Sequence, residues 1–221
     1  MGPDAPLSFI AQLNLADVAR VMPSNSGLPT SGLLSFFYDA VAQSAWGFAP
    51  GDDASWSVTY SPDVAACEPR AWPDSLSDEG RFGAVPLGLA MELTFPAAES
   101  FDVEQLGIES VWSTYGRVLG GGDDLVSRFL GNPEPVQGDM QVECQLASNG
   151  IYCGDGNYLR RPEAQALVPG ASAWRLLLQV DSHEDETGMM WGDVGRLYFW
   201  IKEPDLESQN WDPTWMVMQC G

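Results

Sequence analysis

Apolar and polar residues alternate with a period of two in several short stretches, and a period of two belongs to half-buried β-strands. In residues 7–15, Leu7, Phe9, Ala11, Leu13 and Leu15 share one face, and Ser8, Gln12 and Asn14 the other. Residues 32–38 put Leu34, Phe36 and Tyr38 on one face, and 56–60 form a third strand-like stretch rich in aromatic and β-branched residues. The pattern returns near the end of the chain. In 174–181, Trp174, Leu176, Leu178 and Val180 stand opposite Arg175, Gln179 and Asp181; 195–202 alternates Leu197, Phe199 and Ile201; 215–220 is again strand-like. Residues 87–95 alternate as cleanly, with Leu87, Leu89, Met91, Leu93 and Phe95 on one face, and predict a further half-buried strand.

The early and late stretches align in register, Phe9 on Leu176 and Gln12 on Gln179, with Gly32 on Gly195 and Trp56 on Trp215. A one-residue slip turns a strand inside out, so agreement in register points to an internally duplicated three-strand unit, with pseudo-repeats at about 7–60 and 174–220. Between them the period changes. Asp102 with Gln105 three residues on forms a capping-box pattern, and Val103, Leu106, Val111, Tyr115 and Val118 recur at helical spacing up to Gly120-Gly121-Gly122. Asp123 then opens a shorter predicted helix carrying Leu125, Phe129 and Leu130, which completes a helical insert over about 102–131. Helical turns are also predicted at 16–21 and 204–208, and loops at 47–54 and 62–80, where Gly, Pro and Asp gather. The fold class is α+β, mainly antiparallel β, with roll-like sheets in a single domain over 1–221.

Composition adds size and charge. A chain of 221 residues with nine Trp and nine Phe buries a sizeable core without needing disulfides or metal. No apolar run approaches the ~20 residues that cross a bilayer, and the first residues lack a basic and apolar leader, so a cytoplasmic location is expected. The formal net charge is −21, from 31 acids against 10 Lys and Arg. Such a surface repels phosphate, which argues against nucleic-acid and membrane partners and leaves either simple solvation or a basic protein partner. Cys67, Cys144, Cys153 and Cys220 follow no metal-ligand spacing, and they read as free thiols. No cofactor is implied.

Few residues carry recognisable chemistry. The loop from Asp181 to Asp193 collects acids around the single imidazole, His183, but Glu186 and Gly192 stand where a calcium loop needs Gly and Glu, so no metal site is predicted. Gln137-Gly138-Asp139 leads to Glu143, a carboxylate pair at a spacing that suits acid–base work on either a helix or a strand, although Asp139 after Gly138 also reads as a turn or cap residue. Most tryptophans sit at core positions of strands; Trp191, in a turn, is the one with less structural excuse. A serine or cysteine nucleophile has only His183 to recruit, and there is no G-x-S-x-G. The candidate ligand-binding residues are therefore Gln137, Asp139, Asp181, Trp191 and Asp193, with no catalytic set. Two readings follow: a non-catalytic protein that binds a basic partner, or a carboxylate-dependent hydrolase or transferase built on Asp139, Asp181 and Asp193.

The blocks PLSFIAQLNLADV (6–18), SGLLSFFYD (31–39), GNPEPVQGDMQVECQL (131–146), WRLLLQVDS (174–182), MMWGDVGRLYFWIKEPDL (189–206) and WMVMQC (215–220) cover most of the chain. Through them the protein resembles the YwqG-like family, a bacterial domain of unknown function. The resemblance implies a β-rich, roll-like fold with internal duplication, and a further segment ahead of the first strand in other members. It implies no reaction, cofactor or catalytic residue.

Overall fold

In the computed structural model, residues 6–22, 26–107, 114 and 126–221 are described. Two antiparallel sheets carry the fold. One has the order β1 (Ser8–Asn14), β2 (Leu33–Tyr38), β3 (Trp56–Ser61); the other has the order β4 (Arg128–Phe129), β5 (Trp174–Asp181), β6 (Arg196–Lys202), β7 (Trp215–Gln219). Every alternating stretch named above is a strand except 87–95.

Two strands contain a bulge, between Phe9 and Ala11 in β1 and between Leu176 and Leu178 in β5. A bulge adds one residue and resets which side chains face inward. Hence Ser8 before it, Ile10 within it and Leu13 after it are buried, while Phe9 and Ala11 are only half-buried, contrary to the simple alternation. In β5 the bulge leaves Leu176, Leu177 and Leu178 all buried, and Gln179 and Asp181 are buried as well, so this strand is covered on both faces.

The sheets share one core. Phe36 of β2 meets Phe199 of β6 edge-on with centroids 5.2 Å apart, and Trp56 of β3 meets Trp215 of β7 at 5.1 Å. Edge-to-face contacts of this kind add about 0.5–1.5 kcal/mol beyond area burial. The loop after β2 closes the seam: Met218 N–H donates to Trp46 O, and Trp215 Nε1 donates to Gly47 O. Gly47 (φ +89°) is required there, because a Cβ would stand 2.2 Å from Met216 O. Asp52 holds the same loop, its Oδ2 accepting from the N–H groups of Trp46, Gly47 and Ala49.

The helices are short: α1 (Leu15–Val21), α2 (Phe101–Glu104), α3 (Gln141–Ala147) and α4 (Pro162–Leu167), then turns at Glu184–Thr187 and Glu203–Glu207. The turn expected at 16–21 lies within the first of these, and that expected at 204–208 overlaps the last, which runs one residue earlier at each end. In the insert, Ser100, not Asp102, caps α2, through Val103 N–H to Ser100 Oγ. Arg128–Phe129 is a strand paired with Gln179–Leu178 where a helix is predicted, because the free edge of β5 offers ladder bonds that a short exposed helix lacks. Val111, Tyr115, Val118, Asp123 and Leu125 lie outside the described residues. The stretch 87–95 forms no strand, and all its apolar side chains but Leu89, which packs against the core, face solvent: Met91 is 74% and Leu93 80% exposed.

Candidate functional site

Residues two apart on a strand share a face, so Gln179 and Asp181 of β5 lie with Arg196 and Tyr198 of β6 and Gln219 of β7. The register confirms it: Gln179 pairs with Tyr198, Asp181 with Arg196, and Arg196 with Gln219. Across this face runs the segment Asn132-Pro133-Glu134-Pro135-Val136-Gln137-Gly138. A segment laid over a sheet brings backbone groups that need partners, and the two prolines reduce the number of N–H groups. Asn132 N–H goes to Thr94 Oγ1, and those of Glu134, Val136 and Gln137 are met by carboxamides, each of which offers one acceptor end and one donor end, as a peptide does. Gln179 Oε1 accepts from Glu134 N–H (2.9 Å), and its Nε2 donates to Val126 O (2.8 Å). Gln219 Oε1 accepts from Val136 and Gln137 N–H (both 2.9 Å), and its Nε2 donates to Gly138 O (3.1 Å). Glu134 O accepts from Tyr198 OH (2.7 Å) and Arg196 Nη1 (3.0 Å).

The charges on this face pair as tightly. Asp181 Oδ2 accepts from Arg196 Nε (2.8 Å) and Val126 N–H (2.8 Å), and its Oδ1 from Ser182 N–H (2.8 Å). The Glu134 carboxylate bridges Arg128 and Arg196. Burial pushes the Tyr198 hydroxyl well above the usual phenol range, so it acts as a neutral donor.

The predicted site residues divide accordingly. Asp181 is committed to the clamp just described. Asp139 caps α3, its Oδ1 accepting from Phe101 N–H (3.1 Å) and its Oδ2 from Val142 N–H (3.3 Å). Trp191 is fully buried, edge-on to Tyr38 and Phe82, with its indole N–H on Asp181 O (3.1 Å), which corrects the expectation that a turn tryptophan is available to a ligand. Gln137 and Asp193 are exposed, and each lends its backbone to the fold, Gln137 N–H to Gln219 and Asp193 O to Gly221 N–H. His183 Nε2 lies 2.8 Å from Ser127 Oγ, which also accepts Asp181 N–H (3.1 Å), so this pair fastens the end of β5. Among the described residues no group of three or more His, Cys, Asp or Glu is placed to hold a metal, and no helix is long and apolar enough to cross a membrane.

A family model for a domain of unknown function, DUF1963, matches residues 2–220. The chain belongs to that family. No curated protein matches it.

In this DUF1963 chain two further features stand out. The first is Glu143, the second member of the carboxylate pair read from the sequence, half-buried on α3, whose side chain forms no hydrogen bond or ion pair with a described residue. Burial, then the charges of Asp139 and Asp52, push its carboxyl up to about 7. Burial also raises Asp139, against the pull of its two N–H donors. Beside them the thiols are inert: burial carries Cys144 well above its ordinary range and Cys153 up to about 12, and all four cysteines are free.

The second is a cavity of about 310 Å³ where β3 meets the turn before β7, lined by Trp56, Trp211 and Trp215 with Asp53 and Asp212. Nothing in local spacing announces it, because its walls come from elements far apart in the chain.

Proposed function

We propose that this DUF1963 protein is a non-catalytic, cytoplasmic binding protein for a basic partner. One observation carries the reading: the cations are already engaged internally while the acids are not balanced. Arg20, Arg81, Arg128, Arg161, Arg175 and Arg196, six of the nine arginines, bridge to the chain's own carboxylates, in a protein of net charge −21. The surplus acid field therefore faces outward, where it steers a cationic protein. Val85, Leu87, Met91, Leu93 and Phe95 add an exposed apolar ribbon, beside Glu92, of the kind that marks contact surfaces. Against a hydrolase built on Asp139, Asp181 and Asp193 stands the use of the first two as backbone acceptors. Gln137 and Asp193 remain candidate contact residues on the exposed surface. The test is affinity capture from the source cell at low and high salt, followed by rebinding of the purified partner. A partner of high isoelectric point, released by salt, is expected; retention only of acidic or neutral proteins overturns the reading.

We also infer that the two three-strand units, of the YwqG-like kind, are copies. The order β1-β2-β3 matches β5-β6-β7, and the bulges fall at aligned positions. The aligned pairs Phe36/Phe199 and Trp56/Trp215 meet each other, as residues near a twofold axis do. The third strand differs by one residue in register, since Trp56 pairs with Tyr38 and Trp215 with Trp200. Superposing 7–60 on 174–220 in a crystal structure tests it: matching strand paths support descent from one unit, and divergent paths overturn it.

A further inference from the structure

We propose that the cavity beneath β3 receives an arginine side chain of a polypeptide partner, an inference that rests on the binding-protein reading and locates its anchor. Three indoles form the walls, and two of them are fixed by their own N–H groups: Trp56 Nε1 donates to Thr214 O (2.9 Å) and Trp215 Nε1 to Gly47 O (2.8 Å). The third is not. Trp211 is only 6% exposed, yet its indole N–H has no acceptor among the described residues. That donor is shut off from solvent, so it is the ring of Trp211, not its N–H, that faces a ligand.

The charges select the rest of the ligand. Asp53 and Asp212 line the cavity, neither carboxylate is bonded to a described residue, and no Lys or Arg is among the lining residues. A guanidinium answers each feature. It is planar and weakly hydrated, so it stacks on an indole, and its fork of N–H donors reaches carboxylates in pairs. An ammonium fits less well, being a compact and strongly hydrated point charge. At about 310 Å³ the cavity is at the small end of ligand sites and suits one side chain. It also sits at β3, an edge strand of its sheet, the kind of element an extended peptide can pair with.

The probe is N-acetylarginine methylamide, read by tryptophan fluorescence and titration calorimetry, with the neutral isostere N-acetylcitrulline methylamide as its control. The arginine probe is expected to bind with Kd near 1 mM, weakening with salt, and the citrulline probe at least tenfold more weakly. Asp53→Asn with Asp212→Asn should weaken arginine binding tenfold or more without moving the melting temperature, and Trp211→Phe roughly fivefold. Equal binding of the two probes, no binding of either, or unchanged affinity in the aspartate variant overturns the proposal. The comparison of probes on the unaltered protein decides the matter even if a variant folds poorly. Failure here is separable from failure of the broader reading. A basic partner retained equally by wild type and the aspartate variant sinks the cavity alone. Selective binding of the arginine probe with no basic partner captured upholds the cavity and sinks the broader reading.

Discussion

The covered face of the four-stranded sheet and the ribbon at 85–95 are opposites in what their sequences promise and what the fold does with them. The first is polar at Gln179, Asp181, Arg196, Tyr198 and Gln219, and it is buried. The second is apolar at every other residue, and all of these but Leu89 are exposed. Alternation sets which side chains lie together, but it does not set which face is covered. Cover is decided by a complement: the segment 132–138 brings N–H and C=O groups matched to the polar face, while among the described residues the ribbon is tied down by Leu89 against the core, Glu92 to Arg128 and Thr94 to Asn132. A fully satisfied polar face specifies one arrangement; an apolar ribbon in water is a surface still to be used.

The sharpest way to break this contrast is to remove a clamp charge. Arg196→Ala leaves Asp181 buried without its cation and should cost about 3–5 kcal/mol in chemical denaturation. Next comes the comparison of aligned glutamines. Gln179→Ala strands Glu134 N–H and Val126 O and should cost about 1–3 kcal/mol, whereas exposed Gln12, bonded only to Ser35 Oγ, should cost less than about 0.5 kcal/mol on the same change.

Glu143 tests the other polar region, around α3. Its folded pKa of about 7 lies above the ordinary 4.5, so the folded state holds the proton more tightly and stability declines as pH rises from about 4.5 to 7. Glu143→Gln should therefore melt higher than wild type at pH 8, by roughly 1–2 kcal/mol after allowance for its half-exposed setting, and equally below pH 4. No difference at pH 8 contradicts the assignment.

The smallest stability effect belongs to the ribbon. Met91→Ser with Leu93→Ser should change stability by less than about 0.5 kcal/mol, because neither side chain loses a buried environment.

Much of the sheet architecture was legible in the chain. Leu34, Phe36 and Tyr38, with Leu197, Phe199 and Ile201, alternate as written, because β2 and β6 lack bulges in the runs that carry them. The bulges in β1 and β5 were not legible, since an extra residue leaves no mark in an apolar run. The strand expected at 87–95 failed because period alone says nothing of a neighbour. For the site, the sequence singled out Gln137, Asp139, Asp181 and Trp191 as ligand-binding candidates, and the structure gives each a part in the fold: a backbone donor to the clamp, a cap carboxylate, a buried ion pair and a core indole. The cavity between Trp56, Trp211 and Trp215 depends on contacts between distant elements, which no local spacing encodes.

The most direct test of the central claim, that the polar motifs build the fold and the acidic, apolar outer surface binds, is one paired series on the purified partner. Arg196→Ala and Gln179→Ala should lose stability yet, at a temperature where they remain folded, bind the basic partner within about twofold of wild type. Met91→Ser with Leu93→Ser should keep wild-type stability and weaken binding about tenfold or more. Ribbon variants that bind normally, or clamp variants that fold normally and bind nothing, would contradict the account.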